Sequence, residues 1–97
     1  MRRAEVIHIL HQQQSELVYR FGVRSLSLFG SVARDQASEA SDVDLLVEFA
    51  RPVGLFGLFA LQDYLEELLG CPVDLGTPGS LKTRIRDRIL TEQVHVL

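Results

Sequence analysis

Large apolar residues recur along the chain at steps of three and four residues in some stretches and at steps of two in others. The first spacing is typical of an amphipathic helix and the second of a strand with one buried face. We therefore predict helices over about 3–20, 55–69 and 80–92, and a short helix followed by a polar loop over 32–40. Strands are predicted over 25–29, 42–49 and 72–75, and a terminal strand or docked tail over 94–97. Helices and strands alternate through a single domain over residues 1–97, which predicts an α+β fold, a small mixed sheet with helices packed on one face.

The strand over 42–49 has the clearest alternation in the chain. One face carries Val43, Leu45, Val47 and Phe49, and the other carries Asp42, Asp44, Leu46 and Glu48. Asp74 lies between two apolar residues in the following strand, so it faces the same way as the two aspartates if the strands are neighbours. The pattern predicts three carboxylates on one face of the sheet.

The helix over 55–69 is rich in leucine at core spacing and is followed by Gly70, a typical helix stop. We expect this helix to be largely buried. Phe56 and Phe59 would offer a docking surface for a partner if they were exposed, but core packing is the expectation.

Composition narrows the class of protein. The chain is 46% hydrophobic and 24% charged with a net charge of -3, which is typical of a globular chain without the basic surplus of a nonspecific nucleic-acid binder. The single cysteine, Cys71, excludes an intramolecular disulfide framework and a cysteine-rich zinc site. The first residues lack the pattern of a signal peptide, so we expect a cytoplasmic protein. We expect no direct contact with nucleic acid or membrane.

Three converging carboxylates indicate a cation site, because their mutual repulsion is costly unless a cation neutralises it. Oxygen ligands of this kind suit Mg²⁺ or Mn²⁺, and Mg²⁺ usually completes its shell with water and substrate phosphates. Asp42, Asp44 and Asp74 are therefore candidate metal ligands, with a nucleotide as the expected substrate.

The turn at Gly30-Ser31 is the candidate phosphate site. Glycine allows a phosphate to approach the backbone, while the amides at the start of the next helix and the Ser31 hydroxyl are donors to phosphate oxygens. Arg34, one turn further on, would add a charge-assisted contact to phosphate. Ser41 precedes the aspartate strand and is included among the candidate nucleotide-binding residues.

The Gly-Ser turn and the acidic strand together resemble a known sequence signature. Phe29-Gly30-Ser31, ten residues, and then Asp42-Val43-Asp44-Leu45 resembles the signature of the DNA polymerase β-like nucleotidyltransferase superfamily. The longer strings, including Val73-Asp74-Leu75, are similar to the minimal nucleotidyltransferases (MNT proteins) of prokaryotes. The resemblance implies the nucleotidyltransferase fold, with Asp42 and Asp44 as paired metal ligands, Asp74 as the third carboxylate and the Gly-Ser turn as the triphosphate-binding element.

The resemblance also implies a function. MNT proteins of this size are typically antitoxins of helical HEPN-type toxins, and some transfer AMP from ATP onto a tyrosine of the toxin. It follows that we expect a Mg²⁺-dependent enzyme, with two ions in the site, that uses ATP and forms a hetero-oligomer with its toxin. Two alternatives remain open, a noncatalytic antitoxin that acts by stoichiometric binding and a nucleotidyltransferase for a small-molecule acceptor.

We assign no functional role to several other features of the sequence. His8 and His11 have a spacing that binds metals on one helix face, but no third ligand accompanies them, so surface or partly buried histidines are expected. The basic side chains of the helix over 80–92 are interpreted as a solvated face. Asp35 departs from the glycine that many relatives have at this position.

Overall fold

The computed structural model describes residues 2–33, 42–78 and 93–97. The elements are α1 (Arg3–Gln12), a π-helical segment (Glu16–Arg20), β1 (Val23–Phe29), α2 (Gly30–Ala33), β2 (Val43–Phe49), α3 (Gly54–Leu69), β3 (Val73–Gly76) and β4 (Val94–His95). The predicted strands are present with ends that differ by one or two residues. The predicted helix over 80–92 lies outside the described residues, as does most of the one over 32–40.

The four strands form one sheet in the order β3-β2-β1-β4. β1 runs antiparallel to both β2 and β4, whereas β2 and β3 are parallel. This arrangement confirms the predicted mixed sheet. β2 and β3 are parallel because α3 connects them and returns the chain to the end of the sheet at which β2 began, so that β3 runs in the same direction as β2.

The core lies between the helices and one face of the sheet. Fully buried leucines and valines of β1 and β2 face fully buried residues of α1 and α3; the set includes Val6, Leu10, Leu26, Leu28, Val43, Leu45, Val47, Leu61 and Leu65. The alternation in β2 was therefore assigned to the correct faces, since Val43, Leu45 and Val47 are all at 0% exposure. The opposite face of β2 carries Asp44 and Glu48 together with Leu46, which is also buried.

The first helix is shorter than predicted. α1 ends at Gln12, and the chain continues into a π-helical segment in which Phe21 N donates to Glu16 O at 3.4 Å. Leu17 stays buried in this segment, whereas its neighbour Val18 is exposed. A single-turn π-helical stretch cannot be recognised from apolar spacing, because that spacing is interpreted with the α-helical period.

The expectation that α3 is largely buried is wrong for its first half. Leu55 and Phe59 are exposed and Phe56 is 91% exposed, whereas Leu61, Leu65 and Leu69 are buried. At 3.6 residues per turn, Phe56 lies roughly opposite the stripe formed by the three buried leucines. The leucine spacing suggested that the helix as a whole is buried, but the angular position of Phe56 around the helix keeps this side chain exposed.

The carboxyl-terminal residues form both a strand and a docked tail. β4 pairs with β1, and beyond it Val96 N donates to Leu26 O at 2.8 Å. His11 of α1 donates from Nε2 to Val96 O at 2.7 Å. His11 therefore ties the tail to α1 and, as expected for a surface histidine, is itself exposed. None of the helices in the described segments is both long and apolar enough to span a membrane.

Candidate active site

Asp44 and Asp74 lie side by side on the two parallel strands. They are register partners, and Asp44 also faces Phe29 across the antiparallel pair with β1. Neighbouring strands are about 4.8 Å apart, and register partners project to the same face. The sheet therefore places two carboxylates next to each other, with Asp44 partly buried and Asp74 exposed.

Asp42 lies two residues before Asp44 and immediately before β2, where it is exposed. It is close enough to the chain segment before β3 to act on Cys71. Burial raises the pKa of the Cys71 thiol above its ordinary value, and the carboxylates of Asp42 and Glu66 raise it further. Cys71 is therefore a neutral thiol near neutral pH.

Gly30 provides the close approach between the turn and the aspartate strand. It has φ +73°, and a Cβ built on it would overlap Oδ2 of Asp44 and lie 3.1 Å from its Cγ. Only glycine fits both the left-handed backbone and this contact. The side chain of Asp44 is therefore packed against the first residue of α2, in which Ser31 follows.

The structure brings together part of the predicted site. Asp44 contacts Gly30 and is the register partner of Asp74, and Asp42 lies immediately before β2. Among residues 2–33, 42–78 and 93–97, no three His, Cys, Asp or Glu side chains form a group arranged to hold a metal ion. Arg34 and Ser41, the other predicted nucleotide-binding residues, lie outside the described residues.

Two polar residues of α3 contact the site, and they were not singled out from the sequence. Gln62 Nε2 donates to Val73 O at 2.9 Å, and Val73 N donates to Glu66 Oε2 at 3.1 Å. Both contacts are made to the residue directly before Asp74. Their spacing of four residues on one helix side was visible in the sequence, but their partner was not, because it depends on how α3 lies along β3.

A separate groove of about 690 Å³ lies between the π-helical segment and α3. Its lining includes Gln13, Arg20, Phe21 and Tyr64, and none of its lining residues comes from a strand. The rings of Phe21 and Tyr64 pack with centroids 4.8 Å apart, and the Arg20 guanidinium lies 5.0 Å from the Phe21 centroid. The groove is therefore distinct from the aspartates of the sheet.

A small mixed sheet with helices, in which two adjacent strands present aspartates beside a Gly-Ser turn, is the nucleotidyltransferase fold. The alignment with a solved structure described as a minimal nucleotidyltransferase has a TM-score of 0.82 at 36% identity, and it covers 97% of this chain and 95% of the other. The fold expected from the sequence is confirmed.

Sequence comparison gives the family. Residues 10–95 match the family described as "Nucleotidyltransferase domain", and the chain belongs to that family. It is 46% identical over 92 residues to the protein adenylyltransferase MntA of Thermococcus cleftensis, which covers 95% of this chain and 93% of the relative. The class of enzyme is therefore that of the nucleotidyltransferases, as the sequence signature predicted.

A third comparison shares the fold at lower identity. The structure of a tri-AMPylated Shewanella oneidensis HEPN toxin in complex with an MNT antitoxin aligns with a TM-score of 0.70 and 18% identity. The alignment covers 98% of this chain and 71% of the other chain.

Proposed function

We propose that this chain is a Mg²⁺-dependent protein adenylyltransferase that transfers AMP from ATP to a tyrosine hydroxyl of a HEPN-type toxin and thereby acts as its antitoxin. The observation that carries the proposal is the juxtaposition of Asp44 with both Asp74 and Gly30. This contact joins the acidic and the phosphate-binding halves of the site. The adenylyltransferase name of the Thermococcus cleftensis relative supports the proposed donor group.

The donor chemistry of the three aspartates suits a divalent cation, although their side chains do not form a metal-binding group in this structure. Asp42, Asp44 and Asp74 supply only carboxylate oxygens, the donors that Mg²⁺ prefers, and the Asp44 carboxylate is held against Gly30. In the proposal these three aspartates hold the metal. When bound, such ions neutralise phosphate charge and stabilise the leaving pyrophosphate.

The chain's own groups have three tasks in the proposed reaction. In this proposal the backbone amides that follow Gly30 bind phosphate oxygens, and Ser31, Arg34 and Ser41 complete the nucleotide site. Asp74 helps to orient or deprotonate the acceptor hydroxyl, since it is the exposed member of the adjacent pair.

The proposed reaction forms one bond to the α-phosphorus of ATP and breaks another. The acceptor oxygen bonds to the α-phosphorus of ATP, and the bond from that phosphorus to the oxygen bridging the β-phosphate breaks. The hydroxyl proton passes to Asp74 or to solvent, and pyrophosphate leaves with the electron pair of the broken bond. The product is an AMP phosphodiester on the acceptor.

A HEPN-type toxin is proposed as the acceptor because an MNT protein of the same fold forms a complex with such a toxin, in its AMPylated form, in the Shewanella oneidensis structure. In this proposal the two proteins form a hetero-oligomer in which the acceptor hydroxyl lies against the face of the sheet that carries Asp44 and Asp74.

Neutralisation of the toxin tests the proposal against inhibition by binding alone. Cells that express the HEPN-type partner would receive the native chain, Asp44→Ala, or the matched control Glu48→Ala, which removes an acid from the same face of β2. We expect Asp44→Ala to bind the partner in size-exclusion chromatography but to leave the cells unprotected, while Glu48→Ala protects them. Protection by an Asp44→Ala protein that binds normally would instead favour stoichiometric inhibition.

A further inference from the structure

β3 is a short strand at the outer edge of the sheet that the described strands form. It has four residues, Val73–Gly76, and in the described sheet its only neighbour is β2. A short edge strand has few ladder hydrogen bonds to hold it in place. The position of Asp74, the second residue of β3, therefore depends on contacts made beyond the sheet.

The backbone groups of Val73 point to this outer edge. Val43 is the register partner of Val73, and Val43 N donates to Pro72 O at 3.0 Å. In a parallel ladder a residue bonds to the residues before and after its register partner, so the partner itself turns its N–H and C=O away. Val73 N–H and C=O therefore need partners outside the sheet.

α3 supplies both partners from one side of the helix. Glu66 Oε2 accepts from Val73 N at 3.1 Å, and Gln62 Nε2 donates to Val73 O at 2.9 Å. Both side chains are half-buried, and the Val73 side chain is buried. We refer to Gln62, Glu66 and Val73 together as the edge clamp.

We propose that Gln62 and Glu66 are positioning residues for Asp74, which they hold next to Asp44 by fixing the backbone of Val73. Gln62 and Glu66 do not touch the reacting groups in this account. They act through the one peptide unit that joins Val73 to Asp74, so that the separation of the two carboxylates is set by α3 as well as by the sheet. The part of the proposal that concerns metal binding rests on the function proposed above.

The clamp itself is tested by amide hydrogen exchange. In Glu66→Ala the Val73 N–H loses its acceptor, so we expect its exchange to become at least about 10-fold faster, while the Val43 N–H, bonded to Pro72 O, changes less. Glu66→Gln keeps an oxygen acceptor at the same position and is expected to restore most of the protection. Unchanged protection of Val73 in Glu66→Ala would overturn the clamp.

The matched control is Glu67→Ala. It removes the same charge from the neighbouring, exposed position of α3. The exchange of Val73 and the thermal unfolding temperature are expected to remain at native values in this variant. Equal effects of Glu66→Ala and Glu67→Ala would mean that charge, and not the contact to Val73, is responsible, which would contradict the proposal.

The consequence for Asp74 is tested by Mn²⁺ titration in the presence of a nonhydrolysable ATP analogue, with free Mn²⁺ followed by electron paramagnetic resonance. We expect Glu66→Ala and Gln62→Ala to weaken Mn²⁺ binding by about 10–100-fold, the usual effect of losing an orienting contact behind a metal ligand. Glu66→Gln should bind close to the native level. Native Mn²⁺ affinity in a Glu66→Ala protein with lost Val73 protection would contradict the positioning role.

Mn²⁺ binding by Asp74→Asn separates a failure of the proposed function from a failure of the positioning role. If Asp74→Asn binds Mn²⁺ as tightly as the native chain, Asp74 is not a ligand and the metal part of the proposed function fails, whatever the exchange of Val73. If Asp74→Asn weakens binding but Glu66→Ala does not, the function stands and the positioning role fails.

Discussion

At the scale of single residues, the site depends on one close packing contact. Asp44 shares the aspartate face of the sheet with Asp74, and its carboxylate occupies the space that a side chain at Gly30 would fill. The alternation along β2 predicted which face Asp44 occupies. The contact with Gly30 could not be predicted, because it depends on how the turn after β1 folds over the neighbouring strand.

Gly30→Ala tests this contact. We expect it to lower ATP-dependent transfer by about 10–100-fold, since the Asp44 carboxylate must move. The left-handed backbone adds about 1–2 kcal/mol of destabilisation in thermal unfolding. Gly54→Ala is the matched control, because Gly54 has φ +65° but no atom within 4 Å of the added Cβ. It should show the same destabilisation with native transfer, and equal losses of transfer in both variants would contradict the account.

His11 illustrates a residue whose role is structural. Its Nε2 donates to Val96 O and so ties the carboxyl-terminal tail to α1. We expect His11→Ala to lower the free energy of unfolding by about 1 kcal/mol, the usual net value of one such hydrogen bond, as measured by urea denaturation. His8→Ala, at an exposed position of the same helix, should change it by less than about 0.5 kcal/mol. Equal effects would argue against the anchoring role.

At the scale of elements, α3 has two different halves. Its second half buries Leu61, Leu65 and Leu69 against the sheet and holds β3 through the edge clamp. Its first half exposes Leu55 and Phe56. The helix was predictable from its apolar spacing and Gly70 stop, but which of its apolar side chains are buried was not, because the first half carries apolar residues on several sides of the helix.

Two leucines of α3 provide a direct comparison. Leu65 is at 0% exposure and Leu55 at 68%. Leu65→Ala is expected to lower the free energy of unfolding by about 2–5 kcal/mol through lost burial and a cavity. Leu55→Ala should change it by less than about 0.5 kcal/mol. Chemical denaturation of the two variants measures both values, and similar losses would contradict the orientation of α3.

For the two strands that carry the aspartates, the sequence predicts the face on which these side chains lie but not the register between the strands. A period of two residues fixes which side chains share a face, and the acid-apolar alternation around Asp42, Asp44 and Asp74 was sufficient to predict a shared acidic face. The relative register of β2 and β3 is a tertiary property. It emerges only when Val43 pairs with Val73, and it determines that Asp44 is the residue next to Asp74.

At the scale of the whole molecule, the chain is a nucleotidyltransferase domain built on a four-stranded mixed sheet. The family and the fold were both accessible from the sequence, because the glycine turn and the acidic strand have a fixed spacing. The acceptor is not encoded in that motif. In the proposed function it is a partner protein, so the central claim concerns what happens to the partner.

The most direct test is the intact mass of the HEPN-type partner after incubation with this chain, ATP and Mg²⁺. The account predicts that the partner gains mass in whole AMP units and that the gain disappears with the Asp42→Ala, Asp44→Ala double variant. A stable complex with no gain in mass, or a gain that persists with the double variant, would contradict it.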